Sequence, residues 1–394
     1  MTADVAGRRP SRLAEGAVAF GTLGSQACIY LLNIVATRSL GPALYGELAA
    51  LLTLTVIMSI PAMALQSWVA RTTAQGADAR ALLPTTTEIS VISAVVTFVV
   101  VLVIAPRIDT PAVPSATSAA LLVLPLVWLS TAQGLLQGGT RLVRLGAVIF
   151  LGGCARLVGG AAALVLNLGP WAVVWGIGLG TLLVAGVAWA LVLSDSPRTS
   201  TRSSYRPVLR IAFATGAMWT LANIDVLLAR LTLDAHESGW YAAGALVTRA
   251  VQFAPQFVVL SAFAALTDAD RSRQVLRAAT AKVAGIGLLA VLSLAALGPW
   301  LVPAVLGRDF AHVGHWAWLF ALLGTLLAHN QLLVAQRVAR HDEAIAWGIW
   351  ATVLALAGAA LVGAADSVVT LVMVVTIANA LLAAGLVWRL WRRP

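Results

Sequence analysis

The chain has 394 residues, 60% of them hydrophobic and only 11% charged. Soluble domains carry about 25% charged residues, so so sparse a set of charges excludes a water-exposed globule and marks an integral membrane protein. The formal charge of +10 does not indicate a nucleic-acid partner, because one lysine, Lys282, and many arginines are dispersed in small groups between apolar runs.

A membrane-crossing helix needs about 20 apolar residues. On that measure the sequence predicts twelve spans, at 13–36, 46–70, 84–106, 115–139, 143–166, 170–193, 207–231, 238–265, 277–302, 312–335, 344–364 and 366–388. The first run is too long for the apolar core of a signal peptide and lacks an Ala-x-Ala site at its end, so it reads as a retained helix. Pro, Gly or charge bounds every span. With twelve spans, the termini and even-numbered connections share one side. That side holds 20 Lys and Arg residues, against four on the other: Arg38, Arg107, Arg230 and Arg308. Positive charge collects on the cytoplasmic side, which puts both termini in the cytoplasm.

The longest polar connection, 194–206, follows the sixth span and is rich in Ser, Thr and Arg. It divides the chain into a six-helix lobe at 1–193 and another at 207–394. An even number of helices per half gives two bundles of the same orientation, related by a pseudo-two-fold axis along the membrane normal. A faint repeat agrees. Arg38, Gly46 and Pro61 are spaced 8 and 15; Arg230, Gly239 and Pro255 are spaced 9 and 16. The two prolines fall mid-span, where each removes a backbone hydrogen bond and permits a hinge or a fixed kink.

Narrow polar stripes run along the first two spans of each half. Gln26, Tyr30 and Asn33 share a face of span 1; Gln66 lies on a polar face of span 2; Asn223 lies on one in span 7; Arg249, Gln252 and Gln256 align in span 8. Interhelical hydrogen bonds, worth about 0.6 kcal/mol each in membranes, account for part of this polarity. They suit an arginine poorly, since a mid-span arginine costs roughly 2.5–3.5 kcal/mol. Arg249 lies roughly 16 Å from the outer end of its span at about 1.5 Å per residue. It needs a partner or a wet cavity. Asp225 in span 7 is within reach, either as a buried ion pair locking two helices or as counter-ion or proton carrier beside a cation that binds an anionic substrate. Arg156, in "GGCARLVGG", is a second intramembrane cation. Cys28 and Cys154 fall inside apolar runs and read as small packing residues. The sequence has no Walker A motif, no G-x-S-x-G, no H-E-x-x-H and no paired-cysteine motif. It therefore predicts no catalytic residues, no cofactor and no metal, and disfavours an enzyme.

An arginine at the end of span 1 followed by "SLGPALYGELAALLTL" resembles the Leu-Gly-Pro-x-x-Tyr-Gly turn of bacterial polysaccharide transporters, the O-antigen flippase family of the multidrug/oligosaccharidyl-lipid/polysaccharide exporter superfamily. The similarity continues through "PAMALQSWVARTTA" and reappears at "IDVLLARLTLDAHESGWYAAGALVTRAVQFAPQFV" and "VLGRDFAHV". The resemblance implies two six-helix bundles around a cavity lined chiefly by helices 1, 2, 7 and 8. It implies alternating access in a bacterial cytoplasmic membrane, moving undecaprenyl-diphosphate-linked oligosaccharide outward for envelope or exopolysaccharide synthesis. Membrane lipids surround such a carrier, and a glycan polymerase and glycosyltransferases are its expected partners. Arg249, with Arg38, Arg156 and Arg230, is then a candidate for the diphosphate, because arginine bonds phosphate bidentately. The chain lacks the two extra helices typical of lipid II flippases. Two other classes stay open: a cation-coupled drug or metabolite antiporter of the same superfamily, and a non-transporting subunit or polymerase of a glycan pathway.

Overall fold

The computed structural model describes residues 12–76, 79–193, 206–254, 272–339 and 344–392. Those residues are helical throughout apart from short turns, and no strand occurs among them. Hydrocarbon offers the backbone no hydrogen-bond partners, so a spanning chain must satisfy its own amides, as a helix does. The helices are α1 (Arg12–Met58), α2 (Ile60–Ala74), α3 (Ala79–Ile104), α4 (Ala112–Gly138), α5 (Leu142–Val165), α6 (Pro170–Leu193), α7 (Arg206–Leu221), α8 (Ile224–Thr232), α9 (Ala235–Phe253), α10 (Ser272–Leu306), α11 (Ala311–Ala339), α12 (Ala344–Ala359) and α13 (Val368–Arg392).

Among the described residues nine helical stretches are long and apolar enough to cross a membrane, or ten if the bent pair α7–α8 counts as one span. One of the nine, Leu13–Ala74, is 62 residues long. At about 1.5 Å per residue it would extend three times the ~30 Å hydrocarbon thickness. It is broken at Gly41, whose φ of 67° and ψ of 175° are not helical. Only glycine adopts that backbone without strain.

Close contacts at glycines show that the chain reverses there. Gly21 meets Gly146, Gly153 meets Ser25 and Gly160 meets Leu32, so the first part of α1 runs parallel to α5. Gly159 meets Gly176 and Gly180 meets Ala155, so α5 and α6 are antiparallel. Gly178 meets Leu121, and Trp189 Nε1 donates to the Trp128 carbonyl at 3.0 Å, so α6 runs with α4. Gly134 meets Gln66 and Gly138 meets Ala70, so α4 runs with α2. The chain therefore runs one way through residues 21–32 and the opposite way through 66–70. Small residues let these backbones touch, which is how helices gain packing energy where lipid is as apolar as the protein.

The contacts divide the chain into two units. One comprises Met1–Asn33, Met58–Pro106 and Thr110–Ala212; the other comprises Ile34–Ile57, Arg107–Asp109 and Phe213–Pro394. Residues 34–57 and 107–109, which the sequence assigns to the first lobe, thus pack in the second unit. The core of the first unit is built on Trp68, Val69, Val123, Val127, Leu136 and Trp189 from α2, α4 and α6. In the second, α10 and α11 are antiparallel through Gly298–Gly314 and Gly287–Thr325. There α9 also lies along α11, with Thr248 Oγ1 donating to the Phe320 carbonyl at 3.0 Å.

Many buried hydroxyls are satisfied inside their own helices. Thr55, Thr86, Thr131 and Thr181 each donate to the carbonyl four residues back, at 2.7–3.0 Å. Asn33 Nδ2 does the same to the Ile29 carbonyl at 2.8 Å. Part of the polarity that reads as a stripe in the sequence is therefore absorbed locally.

Candidate functional site: a broken helix beside an arginine

In the second unit, the predicted seventh span is not one helix. It breaks at Ala222–Asn223 into α7 and α8, which meet at a bend of 51°. Asn223 leaves the helical region with φ −131° and ψ −18°. Its side chain is shared across the break: Nδ2 donates to the Trp219 carbonyl at 2.8 Å, and Oδ1 accepts from Arg249 Nη2 at 3.1 Å. Arg249, on α9, is half-buried.

Asp225 follows in the first turn of α8 and is only 4% exposed. The ion pair with Arg249 that the sequence offers is not formed; no contact within 4.0 Å joins the two charged groups. The carboxylate is held instead by Tyr241, whose hydroxyl donates to Oδ2 at 3.1 Å. Its Oδ1 is buried without a hydrogen-bond partner, and so is Thr220 Oγ1, one turn before the break. An ionised carboxylate in that position is costly unless paired. Its place at a helix N-terminus favours it, because backbone amides and the helix dipole face it there. Gln252 is buried on the same helix as Arg249. Gln256 and Pro255 lie outside the described residues.

Two of the predicted cavity cations are occupied otherwise. Arg38 donates through Nε to the Val305 carbonyl at 3.0 Å and through Nη2 to the Ala304 carbonyl, capping the C-terminal end of α10. Arg230, 7% exposed, donates to the Ile108 carbonyl at 3.0 Å and to Ser238 Oγ at 3.1 Å. The turn that opens the family resemblance is packed in the same region. A Cβ on Gly239 would fall 1.9 Å from the Pro42 carbonyl oxygen, and one on Gly46 would fall 2.8 Å from the Gly239 nitrogen. Tyr45, 1% exposed, meets Phe310 edge-on with ring centres 5.9 Å apart.

The first unit holds a separate group. Arg156 of α5 has its Nε buried without a hydrogen-bond partner among the described residues. Gln26, Tyr30 and Gln66 are half-buried. Pro61 lies in the first turn of α2, two residues after the single-residue interruption at Ser59 that separates α1 from α2 within the stretch Leu13–Ala74.

Sequence reasoning missed Tyr241, Tyr45 and the break itself. The signal for the break was an Asn two positions before an Asp, the composition of a helix start, inside an otherwise apolar run. Tyr241 is eight residues before Arg249 on α9 and lay outside the stripe that ends in Arg249, Gln252 and Gln256.

No family model matches the chain. The protein Rv1510 of Mycobacterium tuberculosis (strain ATCC 25618 / H37Rv), described as uncharacterized, is 30% identical over 207 residues, which are 49% of this chain and 47% of that protein. The chain thus matches about half the length of that curated relative. Among solved structures, the lipid II flippase MurJ in an inward closed conformation superposes with a TM-score of 0.72 at 9% identity, over 98% of this chain and 88% of that one. An inward-facing multidrug resistance MATE family transporter of the MOP superfamily superposes with a TM-score of 0.66 at 15% identity, over 96% of this chain and 98% of that one. The chain thus shares the fold of these structures over nearly its whole length, and its described helical stretches are long and apolar enough for it to cross a membrane many times.

Proposed function

We propose that this protein is a flippase that moves undecaprenyl-diphosphate-linked oligosaccharide across a bacterial cytoplasmic membrane by alternating access. In this reading it has twelve crossings in two six-helix bundles, 1–193 and 207–394, joined by a cytoplasmic linker at 194–206, with both termini cytoplasmic. Glycosyltransferases supply the substrate and a glycan polymerase receives it.

One observation carries the reading: Arg249 is held at a break in a membrane helix by a neutral amide rather than by a carboxylate. A guanidinium bonded to an amide keeps its full charge and its remaining donors for an anionic ligand. Broken helices are tolerated at membrane depth where they line a cavity, and carriers use them to build binding sites. A diphosphate presents the charge and the paired oxygens that such a fork binds. The likeness to a lipid II flippase supports a lipid-linked substrate. Arg156, Gln26, Tyr30, Asn33, Gln66 and Gln252 are assigned to the cavity wall, while Arg38 and Arg230 are assigned to holding the outer ends of the helices.

The test is export in cells lacking the chromosomal copy. Arg249→Ala should abolish delivery of the glycan and accumulate the lipid-linked intermediate at normal protein level. Undiminished delivery would refute the assignment.

A second reading, a cation-coupled drug or metabolite antiporter, is favoured by one observation: the buried Asp225 carboxylate has an oxygen without a partner. Dye efflux driven by a proton or sodium gradient in vesicles, abolished in Asp225→Asn, would establish it.

A further inference from the structure

The two cysteines, which the sequence reads as separate packing residues, are brought together. Cys28 Sγ and Cys154 Sγ lie 3.8 Å apart although 126 positions separate them in the chain. They face one another across the α1–α5 seam of the first unit. The backbones approach closely beside them: a Cβ on Gly153 would fall 2.5 Å from Ser25 Cα. A disulfide needs Cα atoms about 4.4–6.8 Å apart, a separation that only tightly packed helices supply.

The side of the seam on which the thiols lie is informative. At about 100° per residue, Cys28 is beside Phe20 and Leu31, and Cys154 is beside Leu151 and Val158. These four are 68%, 48%, 46% and 68% exposed. Exposed apolar side chains on a membrane helix face hydrocarbon. Tyr30 and Arg156 lie on the far sides of their helices, about 160–200° away from the neighbouring cysteine. The thiols therefore lie toward the exposed apolar side of the seam, away from the polar stripe, and both remain free.

We propose that Cys28 and Cys154 form an oxidation site addressed from within the bilayer. A lipid-soluble quinone reaches the seam; both S–H bonds break, an Sγ–Sγ bond forms, and the two electrons and two protons pass to the quinone, which leaves as the quinol. The bond staples α1 to α5 five residues before α1 passes from the first unit to the second, between Asn33 and Ile34. Fixed there, α1 can no longer slide or turn against α5, and transport stops until the bond is reduced. The arrest rests on the transport reading above; the bond does not.

The experiment uses the full chain in lipid nanodiscs, with menadione as the quinone. Alkylatable thiols after denaturation should fall from the two present to none, with the protein still monomeric on a non-reducing gel. Amide exchange of residues 20–33 should slow, and dithiothreitol should restore both. Cys28→Ser should show neither change. In vesicles, flux of the lipid-linked oligosaccharide should be lost on oxidation of the wild type and retained in Cys28→Ser. Two free thiols persisting under both menadione and copper–phenanthroline would overturn the site, as would a purely intermolecular bond. An intramolecular bond that leaves exchange and flux unaltered would overturn the control it exerts. A reduced chain that carries no oligosaccharide would instead refute the flippase, with thiol counts and exchange still deciding this proposal.

Discussion

The Tyr241 hydroxyl donates a 3.1 Å hydrogen bond to Asp225 Oδ2, joining α9 to the first turn of α8 across 16 positions of sequence. Both residues are buried, Tyr241 completely. This bond, with the one from Arg249 to Asn223, fixes the broken span against its neighbour at two points. Tyr241→Phe keeps the ring and removes the donor. A buried acceptor left unpaired costs about 1–3 kcal/mol, so thermal unfolding in detergent should move down by several degrees. Asp225→Asn in the same background should recover much of the loss, because it removes the charge that needed the donor.

Arg249→Lys separates charge from geometry. Lysine keeps the positive charge but offers no planar fork. If the ligand is a diphosphate, apparent affinity should fall by about tenfold, on the order of 1.4 kcal/mol, while Arg249→Ala should abolish export. Equal activity of the lysine variant and the wild type would indicate a point-charge requirement and count against bidentate recognition.

Arg38 tests the division of labour among the arginines. Its two hydrogen bonds end on carbonyls at the end of α10, where a cation also meets the negative end of the helix dipole, worth about 0.3–1 kcal/mol at an exposed site. Arg38→Gln should lower stability by that modest amount and leave substrate affinity unchanged. A large loss of affinity with intact stability would return Arg38 to the cavity.

Gly239→Ala should be more damaging than its size suggests. The added carbon would meet the Pro42 carbonyl oxygen at 1.9 Å, and the obstruction is backbone, which cannot swing aside. Overpacking of this kind costs about 1–3 kcal/mol. Expression level and unfolding temperature report it. Gly285→Ala, where nothing lies within 4 Å of the added carbon, is the matched control and should be neutral.

Much of the architecture was legible because membrane solvation imposes it. Runs of apolar residues follow from the cost of placing polar groups in hydrocarbon, and they can be counted along a chain. The Gly-Pro turn at Gly41 was legible for a similar reason, since few residues adopt its backbone. The site was read less well. Arg249 and Asn223 were picked out because polar atoms are conspicuous in oil, and the structure does join them. For Asp225 the sequence offered either an ion pair with Arg249 or a counter-ion role, and the Tyr241 hydroxyl that bonds it was not foreseen, because its position is fixed by a 51° bend that no periodicity announces. Arg38 was placed among the candidate cavity cations by the family resemblance; the acceptors it has here lie more than 260 residues away, and pattern within a span carries no information at that range.

That distance also orders the making of the protein. The Ala304 carbonyl follows Arg38 by 266 positions. At about 5–20 residues per second of synthesis, the guanidinium waits roughly 15–50 s for its acceptor to be made. Throughout that interval the arginine side chain must be satisfied otherwise, by water at the exposed end of the first helices. The contact that ties the turn around Gly41 to the end of α10 is thus among the later ones the growing chain can make.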